Sequence, residues 1–281
     1  NIDEALIEAA ITSKTKAIVP VHYAGVGCEM DAIMEIAKKH NLYVIEDAAQ
    51  GIGATYKGKP LGTIGHFGTL SFHHTKNITS GLGGALLIND GRFIDRAKII
   101  WQKGTNREAF LEGQIDKYTW CDVGSSFMMP ELSAAVLLSQ LEQLRVITEK
   151  RLSIWYKYYE GLNTVESNGK VRLPAVPDVC QHNGHIFYLI CDSKEQRSSL
   201  MSYLKENGIQ STFHYIPLHS SSAGEKFGRV YNKFALTDSI AERLVRLPIY
   251  NFLDNSDVDH VVTQINKYCK NTRAVKTLAM N

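Results

Sequence analysis

The chain is 281 residues long, with 31 Lys and Arg against 29 Asp and Glu for a net charge of +2. The length exceeds one typical domain and fits a large α/β domain plus a smaller one. Charges so evenly balanced leave no basic stripe to follow phosphates and no acidic tail, which argues against nucleic acid as a partner.

From the N-terminus, Asp3 is placed to cap a helix over residues 4–11, in which Leu6, Ile7, Ala10 and Ile11 share an apolar face. Residues 17–22 form a short β-branched run, so His22 falls at the C-terminal end of a strand. Met30, Ile33, Met34 and Ala37 then recur at helical spacing, Lys38, Lys39 and His40 supply the cations favoured in a last turn, and Asn41 stops the helix. Another buried strand follows over residues 42–45. Strand, helix and strand in so short a span make a βαβ unit and imply a mostly parallel sheet with right-handed crossovers.

Residues 67–72 and 85–88 continue the strands, the second closed by the turn Asn89-Asp90-Gly91. A helix over 92–102 precedes an irregular, polar and aromatic stretch, 104–129, long enough to suggest function or partner contact. Pro130 opens a long helix expected to run to Tyr159 and to bridge a large domain, residues 1–130, to a smaller α+β domain, residues 131–281. In the latter, strands 185–190 and 211–215 flank a helix over 195–208, and helices over 237–245 and 257–268 close the chain. Five scattered cysteines with no C-x-x-C pair oppose a disulfide framework and a zinc cluster and suit a reducing cytoplasm. No apolar run approaches membrane-spanning length, and Asn1 opens no secretion signal.

In a parallel sheet, ligands collect at the carboxyl ends of the strands. His22, Asp47, Gln50, Ser71 and Lys76 all fall at such ends or in the loops just after them. Lys76 stands among Ser, Thr and Asn residues, between an apolar run and three glycines; that stretch alone fits equally a solvated loop lysine and an amine held for chemistry. Taken together, a carboxylate, a carboxamide, a hydroxyl and a lysine on one sheet edge match the needs of pyridoxal 5′-phosphate. The carboxylate can keep the pyridine nitrogen protonated, the amine can condense with the aldehyde and later move a proton, and hydroxyls and backbone N–H groups near Ser71 can take the phosphate. His22 reads equally as a structural histidine and as a cofactor neighbour. His73 and His74 lack a third ligand at metal spacing and read as lining the site, so no metal is expected.

The run over residues 46–50, the Ser71-Phe72-x-x-x-Lys76-Asn77 element and the G-x-G-G after it resemble the DegT/DnrJ/StrS sugar aminotransferases, along essentially the whole chain. The resemblance implies the α/β type I pyridoxal-phosphate transferase fold. It makes Lys76 the lysine that holds the cofactor, Asp47 the partner of the pyridine nitrogen, Gln50 a contact to the ring hydroxyl and Ser71 a phosphate ligand. It also implies a cytoplasmic homodimer with shared active sites. Ser126, in Gly124-Ser125-Ser126-Phe127, stands where relatives carry an asparagine that reaches the neighbour's phosphate. His214, Tyr215 and His219 read as core, interface or contacts to a nucleotide sugar.

The implied reaction moves an amino group, with glutamate as donor, to the 4-keto carbon of a dTDP-4-keto-6-deoxyhexose, giving dTDP-4-amino-4,6-dideoxygalactose for a surface polysaccharide such as enterobacterial common antigen. Relatives with a histidine in place of the lysine are dehydratases, which Lys76 argues against. Two departures stand out. Leu82 occupies the acidic place of the family's G-E-G-G, and a family segment ahead of Asn1, with a phosphate-cradling helix and a stacking aromatic, has no counterpart. The chain alone is therefore expected to be poorly stable. The alternative is a catalytically silent or fragmentary homologue that serves as a dimer partner through residues 104–129 without holding cofactor. A nicotinamide oxidoreductase would need a G-x-G-x-x-G after its first strand, which this sequence lacks.

Overall fold

A computed structural model describes residues 1–169, 171–231 and 234–278. The chain divides into two units: Asn1–Arg145 with Val179–His182, and Val146–Asp178 with Asn183–Asn281.

In the first unit Asp3 caps a single 3-10 turn, its Oδ1 accepting from Ala5 N at 3.1 Å, ahead of α1 (Ile7–Ala10). Strand β1 is short (Ala17–Ile18), since Pro20 brings no N–H to a ladder, and pairing resumes only at a Val21–Asp47 bridge. Helix α2 (Met30–Lys39) buries Met30, Ile33 and Ala37 as one stripe. Beyond it Asn41 takes the left-handed conformation, φ 53°, that ends helices. Then come β2 (Tyr43–Asp47), β3 (Thr55–Tyr56), β4 (Lys59–Pro60), β5 (Phe67–Ser71) and β6 (Gly84–Ile88). Helices α3 (Ile94–Trp101), α4 (Arg107–Leu111) and α5 (Glu131–Glu142) follow, with α4 inside the stretch expected to be irregular.

The sheet order is β1-β2-β5-β6. Strands β1, β2 and β5 are parallel, as a βαβ unit requires, but β6 runs antiparallel to β5, from Phe67↔Ile88 to Ser71↔Gly84. The sheet is mostly parallel, as expected, with β6 an antiparallel strand at its edge. The chain returns from β5 to β6 through a loop, with no crossover helix to turn it round. The consequence is functional, because that loop carries Lys76.

The second unit begins with the body of α6 (Leu144–Ser167), which is separate from α5; the single long helix expected from Pro130 to Tyr159 breaks at Gln143. It continues with β7 (Val171–Arg172); the chain then returns to the first unit for β8 (Cys180–Gln181), which pairs with β3 in that unit's small sheet. Strand β9 (Phe187–Cys191), α7 (Lys194–Glu206), β10 (Thr212–Phe213), α8 (Ser222–Phe227), α9 (Ala235–Arg243), β11 (Leu244–Leu247) and α10 (Asn255–Leu278) complete the second unit. The antiparallel order is β10-β11-β9-β7. The expected helix over 237–245 stops at Arg243, because Leu244, Val245 and Leu247 are buried as a strand against β9. Ile154, Tyr158 and Leu162 of α6 meet Phe187, Leu189, Leu200, Leu204 and Ile265 in one core. Each such side chain contributes roughly 1.5–3 kcal/mol by leaving water. Among the described residues, no helix is long and apolar enough to cross a membrane.

Candidate active site

Strand β2 ends in two acids, and the two-residue period of a strand sends them to opposite faces. Glu46 shares the buried face with Val44 and is 0% exposed, whereas Asp47 is half-buried on the other face. The Asp47 backbone is held on both sides: its N–H donates to Pro20 O at 2.9 Å and its carbonyl accepts from His22 N at 3.0 Å. Its side chain takes one local bond, with Ala49 N donating to Oδ1 at 3.0 Å. Gln50 is tied back to the 3-10 turn after β1, Ala24 N donating to its Oε1 at 2.7 Å.

The lysine loop is the closed end of the β5–β6 hairpin. Ladder bonds run on past the strands, Phe72 N to Gly83 O and His74 N to Gly81 O, both 2.9 Å, so residues 72–83 return on themselves. The glycines have distinct reasons. Gly81 takes a positive φ of 82°, while a Cβ on Gly83 would sit 2.5 Å from Met129 Cε and 2.7 Å from Ser80 Oγ. Leu82, between them, is 74% exposed, and nothing in the structure explains a leucine there. Ser71, at the end of β5, accepts from His73 N at 3.4 Å.

Lys76 sits at the tip of this loop, half-buried. Burial pushes its amine below the ordinary lysine range, and the nearby Asp47 carboxylate pulls it back up. That opposition brings Asp47 and Lys76 into one electrostatic site. Among the described residues Lys76 Nζ has no hydrogen bond or ion pair, and Asp47 Oδ2 accepts none. A partly desolvated amine and a carboxylate oxygen, both still able to bond, are the donor and acceptor that pyridoxal 5′-phosphate needs; the residues present fit the group.

His22 has a different place. It is 0% exposed; Cys28 N donates to its Nδ1 at 3.1 Å, and its Nε2 lies 2.9 Å from Glu46 Oε2. With Nδ1 an acceptor, Nε2 is the nitrogen that donates. Both nitrogens are engaged inside the protein, which fits the structural one of the two readings of His22. The residue that sequence reasoning missed is Glu46. Its carboxylate accepts from Gly62 N at 2.8 Å and from Ile64 N and Gly65 N, both at 2.6 Å, as well as facing His22. Burial alone would raise its pKa, but the His22 and backbone hydrogen bonds outweigh burial and hold it below the usual carboxylate value. The signal available was alternation along β2, which puts only one of two adjacent acids at the site.

The remaining predicted residues have these surroundings. Ser126 pairs across a single bridge with Gln102 and lines a cavity of about 220 Å³ with Lys103, Arg107, Trp101 and Tyr118. His214, Tyr215 and His219 belong to the second unit. Burial, aided by Arg246, pushes His214 down to about 4. Tyr215 is exposed with the Arg246 guanidinium 5.5 Å from its ring centroid, and His219 Nε2 lies 3.0 Å from Asp238 Oδ1. The His73 and His74 rings meet at a tilt of 46°, centroids 3.9 Å apart, with His73 Nδ1 2.9 Å from Thr75 Oγ1.

A lysine on a hairpin loop beside an acid at the end of a parallel strand is the arrangement of a type I pyridoxal-phosphate transferase. The crystal structure of an aminotransferase from Psychrobacter cryohalolentis superposes with a TM-score of 0.87 at 29% identity, covering 96% of this chain and 73% of that one. The model of the DegT/DnrJ/EryC1/StrS aminotransferase family matches residues 1–266, and the chain belongs to that family, whose aminotransferases use pyridoxal 5′-phosphate. It is similar to dTDP-3-amino-3,6-dideoxy-alpha-D-galactopyranose transaminase of Aneurinibacillus thermoaerophilus, 34% identical across 95% of this chain and 69% of that protein. It is also similar to UDP-4-amino-4-deoxy-L-arabinose–oxoglutarate aminotransferase of Shewanella sediminis, 30% identical across 96% and 71%.

Proposed function

We propose that this aminotransferase carries an amino group from L-glutamate to the 4-keto carbon of a dTDP-4-keto-6-deoxyhexose, giving dTDP-4-amino-4,6-dideoxygalactose. The observation that carries the chemistry is the desolvated Lys76 amine in the field of Asp47. The substrate rests on likeness: one relative is named for a dTDP-linked aminodideoxygalactose, another for a 4-amino sugar and oxoglutarate.

Pyridoxal 5′-phosphate, when bound, supplies a carbonyl that condenses with amines and a ring that draws electrons from the bond being broken. In this reading the first unit is the cofactor-binding domain. Asp47 Oδ2 holds a proton on the pyridine nitrogen, Gln50 orients the ring hydroxyl, and Ser71 and loop N–H groups take the phosphate. Lys76 Nζ, made less basic by burial, accepts the proton from the substrate carbon and returns it. Ser126 reaches the site of a second copy, and His214, Tyr215 and His219 contact the sugar nucleotide. The exposed Trp120, Val123, Phe127 and Leu132 support a second copy covering that region.

The test incubates the chain with pyridoxal phosphate, L-glutamate and either the 4-keto or the 3-keto dTDP-6-deoxyhexose, following 2-oxoglutarate and the amino sugar by mass and NMR. The expected result is ping-pong kinetics and amination at carbon 4. Amination only at carbon 3 sinks the substrate assignment. Activity surviving in Lys76→Ala sinks the assignment of the lysine.

A further inference from the structure

We infer that His22 and Glu46 form a buried positioning pair for Asp47, setting where its carboxylate meets the cofactor ring. The inference rests on the functional reading above and deepens it.

The pair joins three pieces of chain. Glu46 Oε1 accepts from Ile64 N and Gly65 N, Oε2 accepts from Gly62 N, and His22 Nε2 donates to the same oxygen at 2.9 Å. His22 Nδ1 in turn accepts from Cys28 N at 3.1 Å. One carboxylate therefore gathers the turn before β5 and the segment after β1 around the end of β2. Asp47 is the next residue, and its own backbone is bonded to Pro20 and His22. Moving His22 moves Asp47 from both sides, through the Glu46 side chain and through the His22 N–H. Both acids of β2 serve one function: Glu46 is locked into the frame so that its neighbour is aimed outward.

The chemistry needs each member in its present form. A glutamine at 46 would turn an amide N–H₂ against backbone N–H groups or against His22 Nε2–H, since every bond to this carboxylate comes from a donor. A glutamine at 22 could donate to Glu46 but could not also accept from Cys28 N across the span of a ring. A displacement of about 1 Å at a reacting group costs on the order of a hundredfold.

The experiment compares Glu46→Gln, His22→Gln and Asp47→Asn as full chains. It reads circular dichroism, the dissociation constant for pyridoxal phosphate, and the pH dependence of the bound cofactor's visible absorbance. The last follows the proton on the lysine–cofactor imine, which the charge held on the conjugated ring nitrogen tunes, and a purely structural role would leave it unmoved. The expected result is that Glu46→Gln and His22→Gln stay folded, bind cofactor between about tenfold and about a hundredfold more weakly, and shift the absorbance profile in the same direction as Asp47→Asn. The proposal is overturned if the folded variants keep the wild-type profile and affinity, or if both fail to fold, since the pair is then structural only. If Asp47→Asn leaves the profile unmoved, the assignment of Asp47 itself falls, and the pair's role with it. Failure to bind pyridoxal phosphate by the wild-type chain would instead strike the functional reading.

Discussion

Burial holds the Lys76 amine below the ordinary lysine range against the opposing pull of the Asp47 carboxylate. The two residues are far apart in sequence but meet because β2 and the β5–β6 hairpin are neighbours in one sheet. An amine that loses its proton more readily than a free lysine spends more of its time at neutral pH in the unprotonated form that acts as nucleophile and base.

Removing the carboxylate should make the amine less basic still. In Asp47→Asn the opposing charge is gone and burial remains, so Lys76 should react with an amine-selective reagent at lower pH than in wild type. Mass spectrometry of the Lys76 peptide after labelling across a pH series reads this directly. A shift to higher pH would show that the charge does not act on the amine.

Glu46 should contribute to acid stability. Its folded pKa lies below its ordinary value of 4.5, so its contribution is complete above that value and is lost as pH falls through the folded pKa. Urea denaturation at stepped pH should show this loss in wild type and a flatter acid limb in Glu46→Gln. At neutral pH that variant should be about 1–3 kcal/mol less stable, the usual penalty for a buried donor facing a donor.

Gly68→Ala should damage the large sheet severely. A Cβ there would lie 2.1 Å from Gly62 O and 2.5 Å from Gly62 Cα, and backbone on both sides leaves no side chain to move aside. The expected loss is at least about 3 kcal/mol, the upper end for overpacking. A midpoint in chemical denaturation equal to wild type would show that the strand and turn separate easily.

Leu162→Ala tests the second unit alone. Leu162 is 0% exposed in the core built from α6, β9, α7 and α10, and truncation there should cost about 2–5 kcal/mol. The thermal midpoint should fall while the Lys76 labelling profile, read below that midpoint, stays as in wild type. A changed profile would show that the two measurements are not independent.

Local pattern reached the helices with one clear apolar stripe, such as Met30, Ile33 and Ala37 on α2, and the strands rich in branched residues. It marked Asp47, Gln50, Ser71 and Lys76 as candidates because ligands in α/β sheets gather where strands end, and strand ends are marked by the residues themselves. It did not reach the direction of β6 or the strand Leu244–Leu247, since pairing partners distant in sequence decide both. Nor did it give Glu46 a role beside Asp47. Two adjacent acids look alike in a string of letters. Only the packed sheet shows that one faces four hydrogen-bond donors in the interior while the other shares the electrostatic field of Lys76. The composition of the site is a property of the chain; which acid faces the amine, and how basic that amine is, are properties of burial and distance that exist only once the sheet has closed around them.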